Sequence, residues 1–110
     1  MTDNAKATVT SAEALERQQR GALLVDVRDD DEFAEAHVAG AMHIPLPDIE
    51  TRLSEFPKDR EILLFCRSGR RSGKAQDLLI DTHHYHNVYN VEGGIIAWAE
   101  ADLPLEHPHA

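Results

Sequence analysis

Two apolar runs set the frame of this chain. Ile62-Leu63-Leu64-Phe65 and Ala22-Leu23-Leu24-Val25-Asp26-Val27 lack the alternation of a half-solvated strand and read as strands buried on both faces. Asn87-Val88-Tyr89-Asn90-Val91 predicts a last strand, and Thr8-Val9 a short first one. Gly40-Ala41-Met42-His43-Ile44-Pro45 predicts a turn and a short strand closed by proline. Helical signals lie between these runs. Thr10 and Glu13 match the S/T-x-x-E capping box and open a helix from Ser11 to about Arg20, ended by Gly21. Asp29, Asp30 and Asp31 can cap a short helix with Phe33 turned to the core. Pro47 suits the first turn of another, with Ile49, Leu53 and Phe56 on one face. From Ser72 onward Ala75, Leu78 and Leu79 fall at i, i+3, i+4 of a fourth. Gly93-Gly94 then leads into Ile95-Ile96-Ala97-Trp98-Ala99, a helix that docks back on the sheet with Trp98 in the core. Strands alternating with helices across short connections imply an α/β fold, a parallel sheet with right-handed crossovers.

Length and charge narrow the class. A chain of 110 residues holds one domain, read as 1–110 with its core at about 8–105. The net charge of −9 argues against nucleic acid or an anionic membrane as partner. Met1 to Ala7 carry no apolar leader segment and no run approaches the length of a membrane span, so a cytoplasmic protein is expected. The single cysteine excludes an intrachain disulfide and a CxxC metal or redox site.

That cysteine is where the chemistry concentrates. Cys66 ends the strongest apolar run and precedes a polar loop that enters a helix. In α/β folds this sheet edge is where ligands bind, because free N–H groups and a helix N-terminus meet there. A lone cysteine at a strand end is by type most often a small buried hydrophobe. Here the charge pattern points elsewhere. Residues 66–74 carry Arg67, Arg70, Arg71 and Lys74 and no acid, +4 within a chain of −9, which leaves −13 for the rest. A thiol in that island should ionise well below its ordinary pKa of about 8.5. Gly69 permits a tight loop whose N–H groups turn inward, and the arginines can grip an oxyanion.

Other features read as structural. Asp26 beside Arg28 at a strand end is most simply a buried ion pair, and Asp29–Glu32 a solvated helix start. His83, His84 and His86, with His107 and His109, are poorly spaced to converge on one ion, so no metal is expected.

At this level the residues resemble a known family. Val25-Asp26-Val27-Arg28, Glu32-Phe33, His37-Val38-Ala39-Gly40-Ala41 and His43-Ile44-Pro45-Leu46 are similar to the N-terminal signature of rhodanese domains. Cys66-Arg67-Ser68-Gly69-Arg70-Arg71-Ser72 resembles the bacterial active-site loop, and Glu92-Gly93-Gly94-Ile95-Ile96-Ala97-Trp98 with Leu103-Pro104 the C-terminal signature. The resemblance implies a central five-stranded parallel sheet flanked by helices on both faces. It implies a sulfurtransferase in which Cys66 carries a persulfide taken from thiosulfate or another small anionic sulfur donor. Arg67, Ser68, Gly69, Arg70 and Arg71 would then hold the donor, and a thiophilic acceptor such as cyanide or a thiol would remove the sulfur. The alternative is a carrier that hands its persulfide to a protein acceptor in a sulfur relay. An inactive binding module is a weaker third reading, opposed by the intact cysteine. No cofactor is expected, and a monomer suffices.

Three positions depart from the pattern: relatives often have glycine at Ala36, asparagine at His43 and a helix-ending glycine at His84. A histidine can adopt the left-handed conformation at modest strain. The nearest rival chemistry, phosphoryl transfer on a Cys-x5-Arg loop often preceded by His, fits poorly. The position that arginine must fill is Ser72, and residue 65 is Phe.

Overall fold

The computed structural model describes residues 6–108, in which five parallel strands form one sheet in the order β1-β5-β4-β2-β3. Their spans are β1 (Thr8–Val9), β2 (Leu23–Asp26), β3 (Met42–His43), β4 (Ile62–Phe65) and β5 (Val88–Val91). β4 is central, and all four of its residues are buried, as are those of β2 beside it. That is why both read as unbroken apolar runs.

Alternate residues of these strands feed two cores. Leu23, Val25, Ile62, Leu64 and Val88 face one side, under helix α3 (Arg70–Asp77), and Leu24, Leu63, Phe65 and Val91 face the other. There they meet Val9, Ala14 of α1 (Ser11–Gln19) and Trp98 of α4 (Gly94–Glu100). Sheet and helices therefore make the three-layer α/β architecture expected of the sequence. Among the described residues no helix is long and apolar enough to cross a membrane.

Local chemistry accounts for most boundaries. The Thr10 hydroxyl accepts from Glu13 N–H at 3.2 Å while the Glu13 carboxylate accepts from Thr10 N–H at 2.8 Å, the reciprocal box that opens α1. His84 takes φ 61, and with its N–H on the Ile80 carbonyl it ends the third helical stretch in the left-handed turn. Ala36 is extended at φ −160, so the glycine of relatives is not needed there.

Three expectations change. The helix predicted after Pro47 is two short 3-10 turns, Leu46–Asp48 and Leu53–Glu55. Between them the Thr51 hydroxyl donates to the Asp48 carbonyl, a local bond that competes with a continuous ladder. Ile49 and Phe56 are buried nonetheless. The third helix starts at Arg70, two residues before its apolar pattern, and widens into a π turn at Leu78–Thr82. Phe33, on the short helix α2 (Asp30–Glu35), stays out of both cores. Its ring is sandwiched between His37 at 4.1 Å and His43 at 4.3 Å. His43 also bonds the Arg28 carbonyl at 2.8 Å, which gives that departure from the family pattern a local role. Of the tail and turn histidines, His83 pairs with Glu50 at 3.0 Å, and His109 lies outside the described residues.

Candidate active site

β4 delivers its last residue, Phe65, edge-on to Trp98, with ring centroids 5.6 Å apart. The next residue is Cys66, 1% exposed. The chain then turns sharply enough to start α3 at Arg70. Gly69 makes that turn at φ 100, a conformation most side chains resist. As a result the loop closes on the sulfur. Gly69 N–H donates to Cys66 Sγ at 3.0 Å, and the Ser72 hydroxyl lies 3.2 Å from it. The N–H groups of Ser68 and Ser72 also favour the charged form of the sulfur.

Two opposing effects set the ionisation of this thiol. Burial pushes the Cys66 pKa up. The Ser72 hydroxyl and the N–H groups of Ser72, Gly69 and Ser68 outweigh it, and the net displacement is downward. The direction is the one expected from the sequence, with the neutral donors of the loop as the largest lowering effects. Arg71 has a charge interaction with the sulfur.

The arginines divide by environment. Arg67 and Arg70 are exposed and make no ion pair among the described residues. Arg71 is half-buried and gripped by Glu32, with Nη1–Oε1 at 2.7 Å and Nη2–Oε2 at 2.9 Å, and Asp29 lies 3.9 Å away. That fork ties the start of α3 to the start of α2. It holds the Glu32 carboxyl down at about 2 and raises Arg71. Of the five loop residues expected to hold a donor, Arg71 is thus already occupied. Ser68 and Gly69 present N–H groups to the sulfur, and Arg67 and Arg70 stand at the rim.

Asp26 and Arg28 form the buried pair the sequence suggested, 0% and 4% exposed, with Arg28 Nη2 at 2.8 Å from Asp26 Oδ2. The same nitrogen donates to the Ala36 carbonyl at 2.6 Å, so the pair fixes the exit of α2.

Two contributors escaped the sequence reading. Asn90 is paired with Leu64 across the β4–β5 ladder and sits on the apolar α3 side of the sheet. Its Nδ2 donates to the Gly69 carbonyl at 3.0 Å, and its Oδ1 lies 2.6 Å from the Ser72 hydroxyl. An asparagine late in a strand, where such residues are depleted, was the available signal. The second is α4. Its first N–H groups, Ile95 and Ile96, donate to the Cys66 and Arg67 carbonyls at 2.9 and 3.2 Å. The loop is thus held from behind as well as from beneath.

Comparison with known proteins follows the same lines. A profile of the rhodanese-like domain matches residues 10–101. The chain is 44% identical over 86 residues to a sulfurtransferase of Allochromatium vinosum, covering 78% of this chain and 79% of that one. It is 34% identical over 100 residues to the thiosulfate sulfurtransferase GlpE of Haemophilus influenzae, covering 89% and 92%. The crystal structure of a rhodanese-related protein from Thermoplasma volcanium shares the fold with a TM-score of 0.80, at 24% identity over 91% of this chain and 97% of that one. Similarity of this extent leaves one assignment: the chain belongs to the rhodanese-like domain family, among relatives named as sulfurtransferases.

Proposed function

We propose that Cys66 is the sulfur carrier of a thiosulfate sulfurtransferase. The observation that carries this reading is the convergence of the Gly69 N–H and the Ser72 hydroxyl on one buried sulfur, with further N–H groups from Ser68 and Ser72. Such a cradle stabilises an anion on sulfur without any cation in contact, which is oxyanion-hole logic transferred to a thiolate. The Cys66 thiolate attacks the outer, sulfane sulfur of thiosulfate. The sulfur–sulfur bond of the donor breaks, sulfite departs with the bonding pair, and Cys66 is left as a persulfide anion. Cyanide or a thiolate then attacks the outer sulfur of the persulfide. The new bond leaves thiocyanate or a new persulfide, and the Cys66 thiolate returns. The lowered Cys66 pKa favours the attacking thiolate, so the proposed step includes no separate general base.

A protein-borne thiol is a second kind of acceptor, favoured by the exposure of Arg67, Ser68 and Arg70 around the loop. Turnover with thiosulfate and cyanide, run beside a pull-down on the persulfidated protein, separates the two uses. The primary test is intact mass. Thiosulfate should add about 32 Da, one sulfur atom, and cyanide should remove it. No adduct on the natural protein, or an adduct that survives Cys66→Ser, sinks the proposal.

A further inference from the structure

The Ser72 hydroxyl has one proton and two acceptors within reach. Asn90 Oδ1 lies 2.6 Å from Ser72 Oγ, and Cys66 Sγ lies 3.2 Å from it. The orientation of the Asn90 amide is fixed independently. Its Nδ2 donates to the Gly69 carbonyl at 3.0 Å, and turning the amide over would set oxygen against oxygen there. Oδ1 therefore faces Ser72 as an acceptor only. Two acceptors cannot both be served by one O–H, so the hydroxyl must choose between the amide and the sulfur.

The choice follows the charge on sulfur. A thiolate is a strong acceptor and draws the hydroxyl to itself. A neutral sulfur, whether a thiol or the inner atom of a persulfide, is a weak one, and the amide oxygen wins. In the thiol state the S–H can in turn donate to Ser72 Oγ, which makes a chain from Cys66 through Ser72 to Asn90. Ser72 is fully buried, so its hydroxyl has no water to turn to and must serve one of the two.

We propose that Asn90 is a positioning residue for sulfur transfer, one that takes the Ser72 proton whenever the Cys66 sulfur is neutral and releases it when the sulfur is charged. Asn90 acts through Ser72 and touches no reacting atom. Its effect is to lower the free energy of the neutral states and so to keep the thiolate from being over-stabilised. An over-stabilised thiolate attacks a donor sulfur sluggishly, because nucleophilicity falls with pKa. The proposal rests on the reading of Cys66 as the sulfur carrier, since only a sulfur that alternates between charged and neutral forms uses such an exchange.

The test is a double-mutant cycle read by alkylation of Cys66 with iodoacetamide across pH, in the natural protein, Ser72→Ala, Asn90→Ala and the double variant. The charged groups around the sulfur, Arg71 with its partners Glu32 and Asp29, are the same in all four. Losing Asn90 also removes the bond to the Gly69 carbonyl, and that contribution is common to both backgrounds. The exchange adds a second effect only where Ser72 is present. Asn90→Ala should therefore move the alkylation midpoint further toward low pH with Ser72 than without it, by about 0.5–1 pH unit. Equal shifts in the two backgrounds, or a difference of opposite sign, would overturn the proposal and leave Asn90 as a strut for Gly69. Asn90→Ser, too short to reach Ser72 in the same way, replaces Asn90→Ala if that variant does not fold. Alkylation needs no sulfur donor, so the outcome is separable from the mass test of the carrier reading. Additive shifts in a protein that still loads sulfur refute only the role of Asn90.

Discussion

Ile95 N–H donates to the carbonyl of Cys66 at 2.9 Å, so the last helix hangs from the residue that holds the sulfur. This approach is open only because residue 94 has no side chain. A β-carbon on Gly94 would overlap the Cys66 carbonyl oxygen and come within 2.6 Å of the Arg67 carbonyl, and its φ of 53 is costly for other residues. Both groups are backbone and cannot swing aside. Gly94→Ala should cost about 2–4 kcal/mol in urea unfolding and slow Cys66 alkylation as the loop is pushed off its donors. Natural stability in that variant would show the approach to be soft.

The buried pair Asp26–Arg28 predicts a different pattern, loss of stability without loss of chemistry. Arg28→Met leaves the Asp26 carboxylate, 0% exposed, without its guanidinium. Removing one partner of a buried pair costs about 3–5 kcal/mol. Urea unfolding should register that loss, while sulfur loading per folded molecule, read by mass, should be unchanged. Defective loading in a fully folded variant would instead bring Arg28 into the chemistry.

The Arg71–Glu32 fork makes stability depend on acid. The folded Glu32 pKa of about 2 lies below its ordinary value of 4.5, so the contribution is complete above about pH 5 and is lost as pH falls through 2. The Glu32 side chain is 27% exposed, so solvent screening trims the contribution to about 1–2 kcal/mol. Glu32→Gln should lose that amount at neutral pH. Its unfolding curve should converge on that of the natural protein between about pH 4.5 and 2. A gap that stays constant with pH would assign the effect to packing.

What could be read along the chain, and what could not, divides by the range of the interaction. β2 and β4 were legible because burial on both faces leaves an unbroken apolar run. The Thr10–Glu13 box was legible because its partners lie within a few residues, and the left-handed His84 because it stands where the family pattern has a helix-ending glycine. The site was legible at Cys66 and Gly69, where residue type and charge coincide. The segment after Pro47 misled because Ile49, Leu53 and Phe56 do bury one stripe, while the Thr51 hydroxyl bonds the Asp48 carbonyl between the two short turns. Arg71 and Asn90 needed the fold itself. Their partners, Glu32 at a separation of 39 residues and Ser72 at 18, meet only once the sheet has brought the strand ends together.

Cys66 also gives stability a slope at alkaline pH. Its pKa is lowered in the folded state, so between that value and the free-thiol value of about 8.5 the unfolded chain holds a proton that the native one has released. Stability contributed by this group therefore rises with pH across the window. Cys66→Ala should lack that rise, and alkylation of the natural protein should have its midpoint below about 8.5. A midpoint at or above the free-thiol value would mean that burial prevails over the loop donors.

The rim arginines test how the donor is recognised. Arg71 is occupied by Glu32, whereas Arg67 and Arg70 are exposed, make no ion pair among the described residues and can meet a sulfonate. If one of them binds the sulfonate of thiosulfate, its removal should weaken thiosulfate use and spare a donor without a sulfonate, such as glutathione persulfide. A charge-assisted hydrogen bond contributes about 1.5–3 kcal/mol, so Arg67→Ala or Arg70→Ala should lower kcat/KM for thiosulfate roughly ten- to hundredfold. The Cys66 alkylation midpoint should stay where it is, because the loop's neutral donors set it. Arg71→Ala should behave differently: it frees Glu32, weakens the tie between α2 and α3, and removes a guanidinium whose charge acts on the sulfur. Both donors should then suffer together and the midpoint should rise. Equal losses with both donors in Arg67→Ala and Arg70→Ala, accompanied by a raised midpoint, would refute direct recognition. The rim would then act as a general electrostatic field on the thiolate.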